Sequence, residues 1–282
     1  MELPDKSKIK LIATDLDGTL LGSKGKLTEK TKTVINKVLL KYPDLHFVIA
    51  TGRTQLATAK IRYDLGIKGR PYTESLNVNG CVAYDSQGHR LWRNVLPTEY
   101  IIKFHNLLKN YPDAVYRYTF DNTILTFSKK WAEKTRKLMQ ENVLVEDREE
   151  HIRTILSGGE SDINRVSFVY KGSNWKEILE QLETLRIEYN LESTHPASNI
   201  IDYMPSQTNK GSSLIRLLEK LNISKNEVIA FGDGGNDIEL LQNVGWPIAV
   251  ENACEDLKSY AKIITKSNRE DGVAYILEQI FL

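Results

Sequence analysis

Asp15 and Asp17 stand two positions apart in "LIATDLDGTL", where an apolar run beginning at Ile9 stops. Two carboxylates so close repel each other, and burying either one unpaired costs several kcal/mol. The pair makes sense if a positive group sits beside it, or if one carboxyl keeps a proton. A second apolar run, "EVIAFGD", ends on Asp233, with Asn236 and Asp237 just behind. Asp15, Asp17 and Asp233 together supply hard oxygen donors, and Mg²⁺ is bound by few carboxylates, several waters and phosphate oxygens. Lys210 opens a helical stretch, and its ammonium near those acids would keep one of them ionised. Thr51, the backbone amides after the first run and those at a helix start can hydrogen-bond phosphate oxygens. A carboxylate held this way can attack phosphorus. A second carboxyl two residues on, facing the same side, can protonate the leaving oxygen and then deprotonate a water. Asp15 is accordingly assigned as nucleophile and Asp17 as acid and base.

These residues must be carried by elements that end together. The chain alternates strand and helix in both its outer parts: a strand over 9–14, a helix from the Thr28 cap to about Lys41, the apolar strand "LHFVIA" (45–50), a helix over about 55–65, and a strand end at "SLNVNG" (75–80). "CVAYDSQGHRLWRN" reads as a hairpin turning at Asp85 to Gly88. From about Leu96 the strands alternate apolar and polar residues and are interleaved with amphipathic helices, with a polar stretch running to about Asn164, which suggests an antiparallel sheet with helices on one face. The continuous apolar texture returns at "IIDYMP" (200–205). The expectation is an α/β fold: a Rossmann-like, doubly wound parallel sheet core from residues 1–84 and 195–282, with an α+β domain inserted over 85–194. Ligands of such sheets bind beyond the carboxyl ends of the strands, where this chain places Asp15 and Asp17, then Thr51, Gly52 and Arg53, then Asn77, Asn79 and Gly80, then Asp233 to Asp237.

"DLDGT", "TGR", an isolated Lys210 and "GDGGND", in that order, resemble the haloacid dehalogenase (HAD) superfamily of phosphatases over about residues 9–83 and 196–282. "NVNGC", "NKG", "NACEDLK" and "SNREDGVA" narrow the resemblance to the Cof-type subfamily, with an α/β (C2) cap. The resemblance implies small phosphate esters, mostly sugar phosphates, as substrates and Mg²⁺ as cofactor. It implies that Thr51 and Lys210 orient phosphate and nucleophile, and that the Asp15 side chain, the Asp17 backbone carbonyl and Asp233 hold the metal. Asp237 is grouped with these acids, and with Asn236 it supports that end of the site. Gly52, Arg53, Asn79, Gly80 and Asn236 are expected at the substrate. No specificity residue of the inserted domain follows from it.

Composition excludes other classes. The 282 residues hold 38 Lys plus Arg against 37 Asp plus Glu, so no net field recruits nucleic acid or an anionic membrane. No leader-like or bilayer-length apolar run is present, and the two cysteines, Cys81 and Cys254, have no metal-site spacing and suit a reducing cytoplasm. Each motif alone has a plainer reading: a DxD is common on surfaces, "TGR" is an ordinary turn, and Asp233 could merely cap a helix. Their conjunction carries the phosphate chemistry. Arg117, between Tyr116 and Tyr118, reads as part of a mixed sheet face, with substrate contact the sharper alternative, while His195 is a weak candidate and "DREEH" (147–151) a charged surface run. The function expected is a Mg²⁺-dependent phosphatase of small phosphate monoesters working through an aspartyl phosphate. The alternatives are a phosphotransferase or phosphomutase on sugar phosphates, and an inert phosphometabolite-binding module.

Overall fold

The computed structural model describes residues 2–139, 141–157 and 159–282. Its strands are β1 (Leu11–Thr14), β2 (His46–Ala50), β3 (Ser75–Asn77), β4 (Val82–Tyr84), β5 (Arg90–Arg93), β6 (Val115–Phe120), β7 (Thr123–Thr126), β8 (Asn142–Val145), β9 (Arg165–Val169), β10 (Glu192–Ala197), β11 (Ile200–Met204), β12 (Val228–Gly232), β13 (Trp246–Val250) and β14 (Ile263–Thr265). Its α-helices are α1 (Glu29–Lys41), α2 (Gln55–Asp64), α3 (Thr98–Leu108), α4 (Lys129–Met139), α5 (Arg148–Leu156), α6 (Trp175–Glu188), α7 (Lys210–Leu221), α8 (Ile238–Gln242), α9 (Glu255–Lys258) and α10 (Gly272–Phe281). The chain forms two compact units. One comprises residues 1–52, 58–92 and 209–282, the other 53–57 and 93–208.

The first unit is built on a sheet of order β14-β13-β12-β1-β2-β3-β4-β5. The strands from β14 to β3 pair in parallel, and β4 turns back antiparallel on β3. Its central strands are apolar throughout because both faces are covered: every residue of β1 and β12 is buried. Val34, Ile35, Val38 and Leu39 of α1 and Leu214, Leu217 and Leu218 of α7 supply part of that cover. Thr28 caps α1 by accepting from the Thr31 N–H at 3.0 Å, as expected of a Thr before a helix. Register decides where the chemistry goes. Thr14 lies opposite both Phe231 and Ile49, so Asp15, Thr51 and Asp233 leave three neighbouring strands at one edge.

The second unit has a sheet of order β10-β11-β9-β6-β7-β8, antiparallel except for β7 with β8. Tyr116, Tyr118, Phe168 and Tyr203 point to one face, where Tyr100 and Phe104 of α3, Ile152 of α5 and Leu182 of α6 complete the core. Ala132 of α4 packs on Ile124 and Val143 in a separate cluster. The fold class is the expected α/β sheet core with an inserted α+β unit. Some local expectations give way. The stretch before Asn164 holds β8 and α5, whose start is made by Asp147 accepting from the Glu149 and Glu150 N–H groups at 2.9 and 3.1 Å, so "DREEH" opens a helix. Ile200–Met204, apolar like a core strand, pairs antiparallel with β9 and β10 and belongs to the second sheet. β4 and β5 complete the first sheet, so the units part at Trp92 and at Thr208.

Candidate active site

Asp15 follows β1 directly and its N–H donates to the Phe231 carbonyl at 3.0 Å, which locks it beside β12. Asp233 follows β12. Its N–H and that of Gly234 donate to Asp237 Oδ2 at 3.0 and 3.1 Å, so the Gly-rich turn wraps around one buried carboxylate. Lys210 is the first residue of α7, whose start is fixed by a reciprocal cap: Asn209 Oδ1 accepts from the Ser212 N–H at 2.8 Å and Ser212 Oγ from the Asn209 N–H at 3.0 Å. The ammonium of Lys210, with no exposed surface, stands 2.6 Å from Asp15 Oδ1 and 2.6 Å from Asp237 Oδ1. Among the described residues, one carboxyl oxygen each from Asp15, Asp233 and Asp237 lie within 4.8 Å of one another.

The charges do not balance. Three carboxyls face one ammonium. Burial pushes the Asp15 carboxyl well above the ordinary carboxylate range; Lys210 opposes this, and the charges of Asp237 and Asp233 add to it. Asp233 is pushed up to about 6, first by burial and then by Asp237, with the Thr19 hydroxyl and Lys210 opposing. Burial alone would lower the Lys210 pKa, but Asp15 and Asp237 more than reverse that, so the ammonium stays charged. The surplus negative charge answers the question raised by the sequence: the cluster must keep a proton or bind a cation.

Thr19 Oγ1 donates to Asp233 Oδ1 at 2.8 Å, a role not read from the sequence although Thr19 lies in "DLDGT". Gly18 (φ +90°) packs so tightly on Asp233 that a Cβ there would stand 2.2 Å from Asp233 Oδ2; the glycine lets the two strand ends close on each other. Asn252 Nδ2 donates to the Gly18 carbonyl at 2.8 Å and steadies that turn.

The other expected residues are distributed over both units. Thr51 is buried at the end of β2, its N–H donating to Leu76 O at 2.8 Å, with Gly52 half-buried behind it. Asn79 is buried and Gly80 follows it. Val78, Asn79 and Gly80 all have positive φ (+52°, +54°, +96°), a conformation costly for a β-branched valine, about 1–3 kcal/mol. The kink is held by Asn79 N–H to Thr51 O at 2.9 Å and by Ser213 Oγ donating to Gly80 O at 3.0 Å. Asn236 Nδ2 donates to Asn79 Oδ1 at 3.2 Å, and Asn79 Nδ2 is buried without a partner among the described residues. Asp17 is exposed, on the turn after β1, and its carboxyl is not among the clustered three. Arg53 begins the segment 53–57 that folds with the second unit. There Thr54 donates to Glu141 through its N–H at 3.1 Å and its hydroxyl at 2.6 Å. His195, also in that unit, lies 2.9 Å from the Tyr170 hydroxyl through Nε2.

A parallel sheet whose strand ends gather three acids and a buried lysine is the frame of a hydrolase with an acidic centre. The chain belongs to the haloacid dehalogenase-like hydrolase family, whose model matches residues 12–277. It is an enzyme, a phosphoric monoester hydrolase. It is 26% identical over 293 residues to the 5-amino-6-(5-phospho-D-ribitylamino)uracil phosphatase YwtE of Bacillus subtilis, covering 96% of this chain and 98% of that one. It is 25% identical to the phosphatase YwpJ of the same organism, covering 96% and 100%. A haloacid dehalogenase-like hydrolase from Bacteroides thetaiotaomicron shares the fold with a TM-score of 0.82 at 24% identity, over 97% of this chain and 100% of that one. No helix among the described residues is long and apolar enough to cross a membrane.

Proposed function

We propose that the chain is a Mg²⁺-dependent phosphatase of small phosphate monoesters, sugar or polyol phosphates in the first place, acting in the cytoplasm through an aspartyl phosphate. The observation that carries this is Lys210 clamped between Asp15 and Asp237, with Asp233 completing a set of acids too negative to stand alone. The donor set fits Mg²⁺: hard oxygens only, in a cradle that a Cβ at Gly18 would fill. Asp15, Asp233 and the Asp17 backbone carbonyl would hold the ion. Asp237, whose oxygens already accept from Lys210 and two backbone N–H groups, sets the turn and the lysine around it. The ion would offset the negative charge of the phosphoryl oxygens and the acids.

The chain's own groups then do the following. Lys210 holds Asp15 Oδ1, which leaves Oδ2 to attack phosphorus as the P–O bond to the alcohol breaks. Asp17 gives its proton to the departing oxygen. It then takes a proton from the water that attacks the phosphorus of the aspartyl phosphate, releasing inorganic phosphate and restoring Asp15. Thr51, Gly52, Asn79, Gly80 and Asn236 present hydroxyl, amide and backbone donors to the phosphate, and the buried Asn79 Nδ2 is one such donor in search of an acceptor. Arg53 is assigned to substrate binding. The ribityl phosphate named for the B. subtilis relative is a polyol phosphate of the assigned kind.

The test is hydrolysis of p-nitrophenyl phosphate and of a panel of sugar phosphates. Turnover should require Mg²⁺, and Asp15→Asn should lower kcat by about a thousandfold or more with an unchanged circular dichroism spectrum. A folded Asp15→Asn enzyme with near-wild-type turnover overturns the mechanism. ¹⁸O-water should appear in released phosphate; transfer of an unlabelled phosphoryl group to a sugar hydroxyl would identify a phosphotransferase.

A further inference from the structure

We propose that the second unit contains a binding pocket of its own for a small anion carrying a planar unsaturated ring. A cavity of about 310 Å³ lies between α4 and the sheet face that bears Arg117; Arg117 and Thr126 come from the strands, Trp131, Lys134 and Thr135 from the helix, and Pro196 from β10. An adjoining hollow of about 370 Å³ shares Trp131 and Lys134 and adds Lys130, Tyr170 and Lys171. Volumes of this size suit a small metabolite.

Charge selects the ligand's sign. Among the described residues, every charged group lining either space is cationic: Arg117, Lys130, Lys134 and Lys171. The ammonium groups of Lys130, Lys134 and Lys171, on flexible stems, can turn to a carboxylate or phosphate.

Trp131 selects the shape. Its indole is half-buried, and its ring already has the ammonium groups of Lys134 and Lys171 at 4.8 and 5.3 Å from the centroid. An indole face that admits two cations is accessible, and a planar ring can stack there while the same ammonium groups turn to its anionic substituent. The pocket lies wholly within the second unit and stands whether or not the chain is a phosphatase.

The experiment titrates the full chain with benzoate and follows the four tryptophan indole N–H signals by NMR, Trp131 being assigned with W131F. Cyclohexanecarboxylate keeps the charge without the planar ring, and benzamide keeps the ring without the charge. Benzoate should shift the Trp131 signal saturably with a Kd in the millimolar range expected of about nine heavy atoms. Both controls should bind at least about tenfold more weakly, and K134Q/K171Q should weaken benzoate about fivefold at unchanged melting temperature. No Trp131 shift, or equal binding of all three compounds, overturns the proposal. With binding seen, the ligand's source follows from kinetics. If benzoate raises KM for p-nitrophenyl phosphate but not for glycerol phosphate, the pocket takes part of the substrate. If neither KM moves, it serves a separate ligand. Either result upholds the pocket. Loss of phosphatase activity in Asp15→Asn leaves the benzoate titration unchanged, so the two readings fail separately.

Discussion

Lys210 and Asp15 lie 195 positions apart in the chain and 2.6 Å apart in space, both buried, with Asp237 at the same distance from the lysine. One ammonium is therefore the fixed counter-charge of the acidic centre. Removing it should cost more than removing a surface charge, because two buried carboxylates lose their partner together. Lys210→Met should lower stability by about 3 kcal/mol, seen as a fall of several degrees in melting temperature, and lower kcat at least about a hundredfold. A variant that melts like the wild type would show that protonation of Asp15 alone neutralises the cluster.

Asp237 acts through what it holds. Its Oδ2 accepts two N–H groups of the turn while its Oδ1 accepts from Lys210. In Asp237→Asn the amide must set its NH₂ against either the backbone donors or the ammonium, so one contact becomes donor against donor. The expected outcome is about tenfold to a hundredfold weaker Mg²⁺ activation, measured by titrating the metal against turnover, with the chain still folded.

Gly18 has a steric role that the same titration reads. An alanine Cβ would sit 2.2 Å from Asp233 Oδ2, on a backbone at φ +90°. Gly18→Ala should displace the Asp233 carboxylate, raising the Mg²⁺ concentration for half-activation by about tenfold or more and costing about 1–3 kcal/mol of stability. An alanine variant with wild-type metal response would place the ion away from Asp233.

The response to pH follows from Asp233, whose pKa is pushed from the ordinary 3.8 to about 6 in the folded, metal-free chain. The folded state thus holds a proton that the unfolded chain releases between about pH 4 and pH 6, so this group's favourable contribution is present below pH 4 and lost as pH rises through 6. Mg²⁺ bound as proposed would compete with that proton, because a metal ligand must be deprotonated. The stabilisation by Mg²⁺, measured as the difference in melting temperature with and without the ion, should be small at pH 5 and level off above about pH 7. Stripping the metal with a chelator at pH 7.5 should abolish turnover, and adding Mg²⁺ should restore it.

Much of this molecule is determined locally. The apolar runs of β1, β2 and β12 announce strands covered on both faces, Thr28 announces the start of α1, and Asp85 to Gly88 announce the hairpin, because each signal depends on side chains within a few residues of one another. The acids at the strand ends and Lys210 are equally visible, and the fold brings Asp15, Asp233, Asp237 and Lys210 together. Where local pattern is weak the sequence is silent: β8 has four residues and α5 buries only Ile152 and Ile155, so neither stands out from a polar stretch. Where two destinations share one pattern it misleads, as at Ile200–Met204, since an apolar strand reads alike in either sheet. Only the tertiary structure decided that both oxygens of Asp237 are taken up in holding Lys210 and the turn, that Thr19 serves Asp233, that Val78 bears a left-handed backbone, and that Arg53 folds with the second unit. These follow from strand register and from contacts between distant residues, and a one-dimensional pattern carries no record of which far-off group will stand 2.6 Å away.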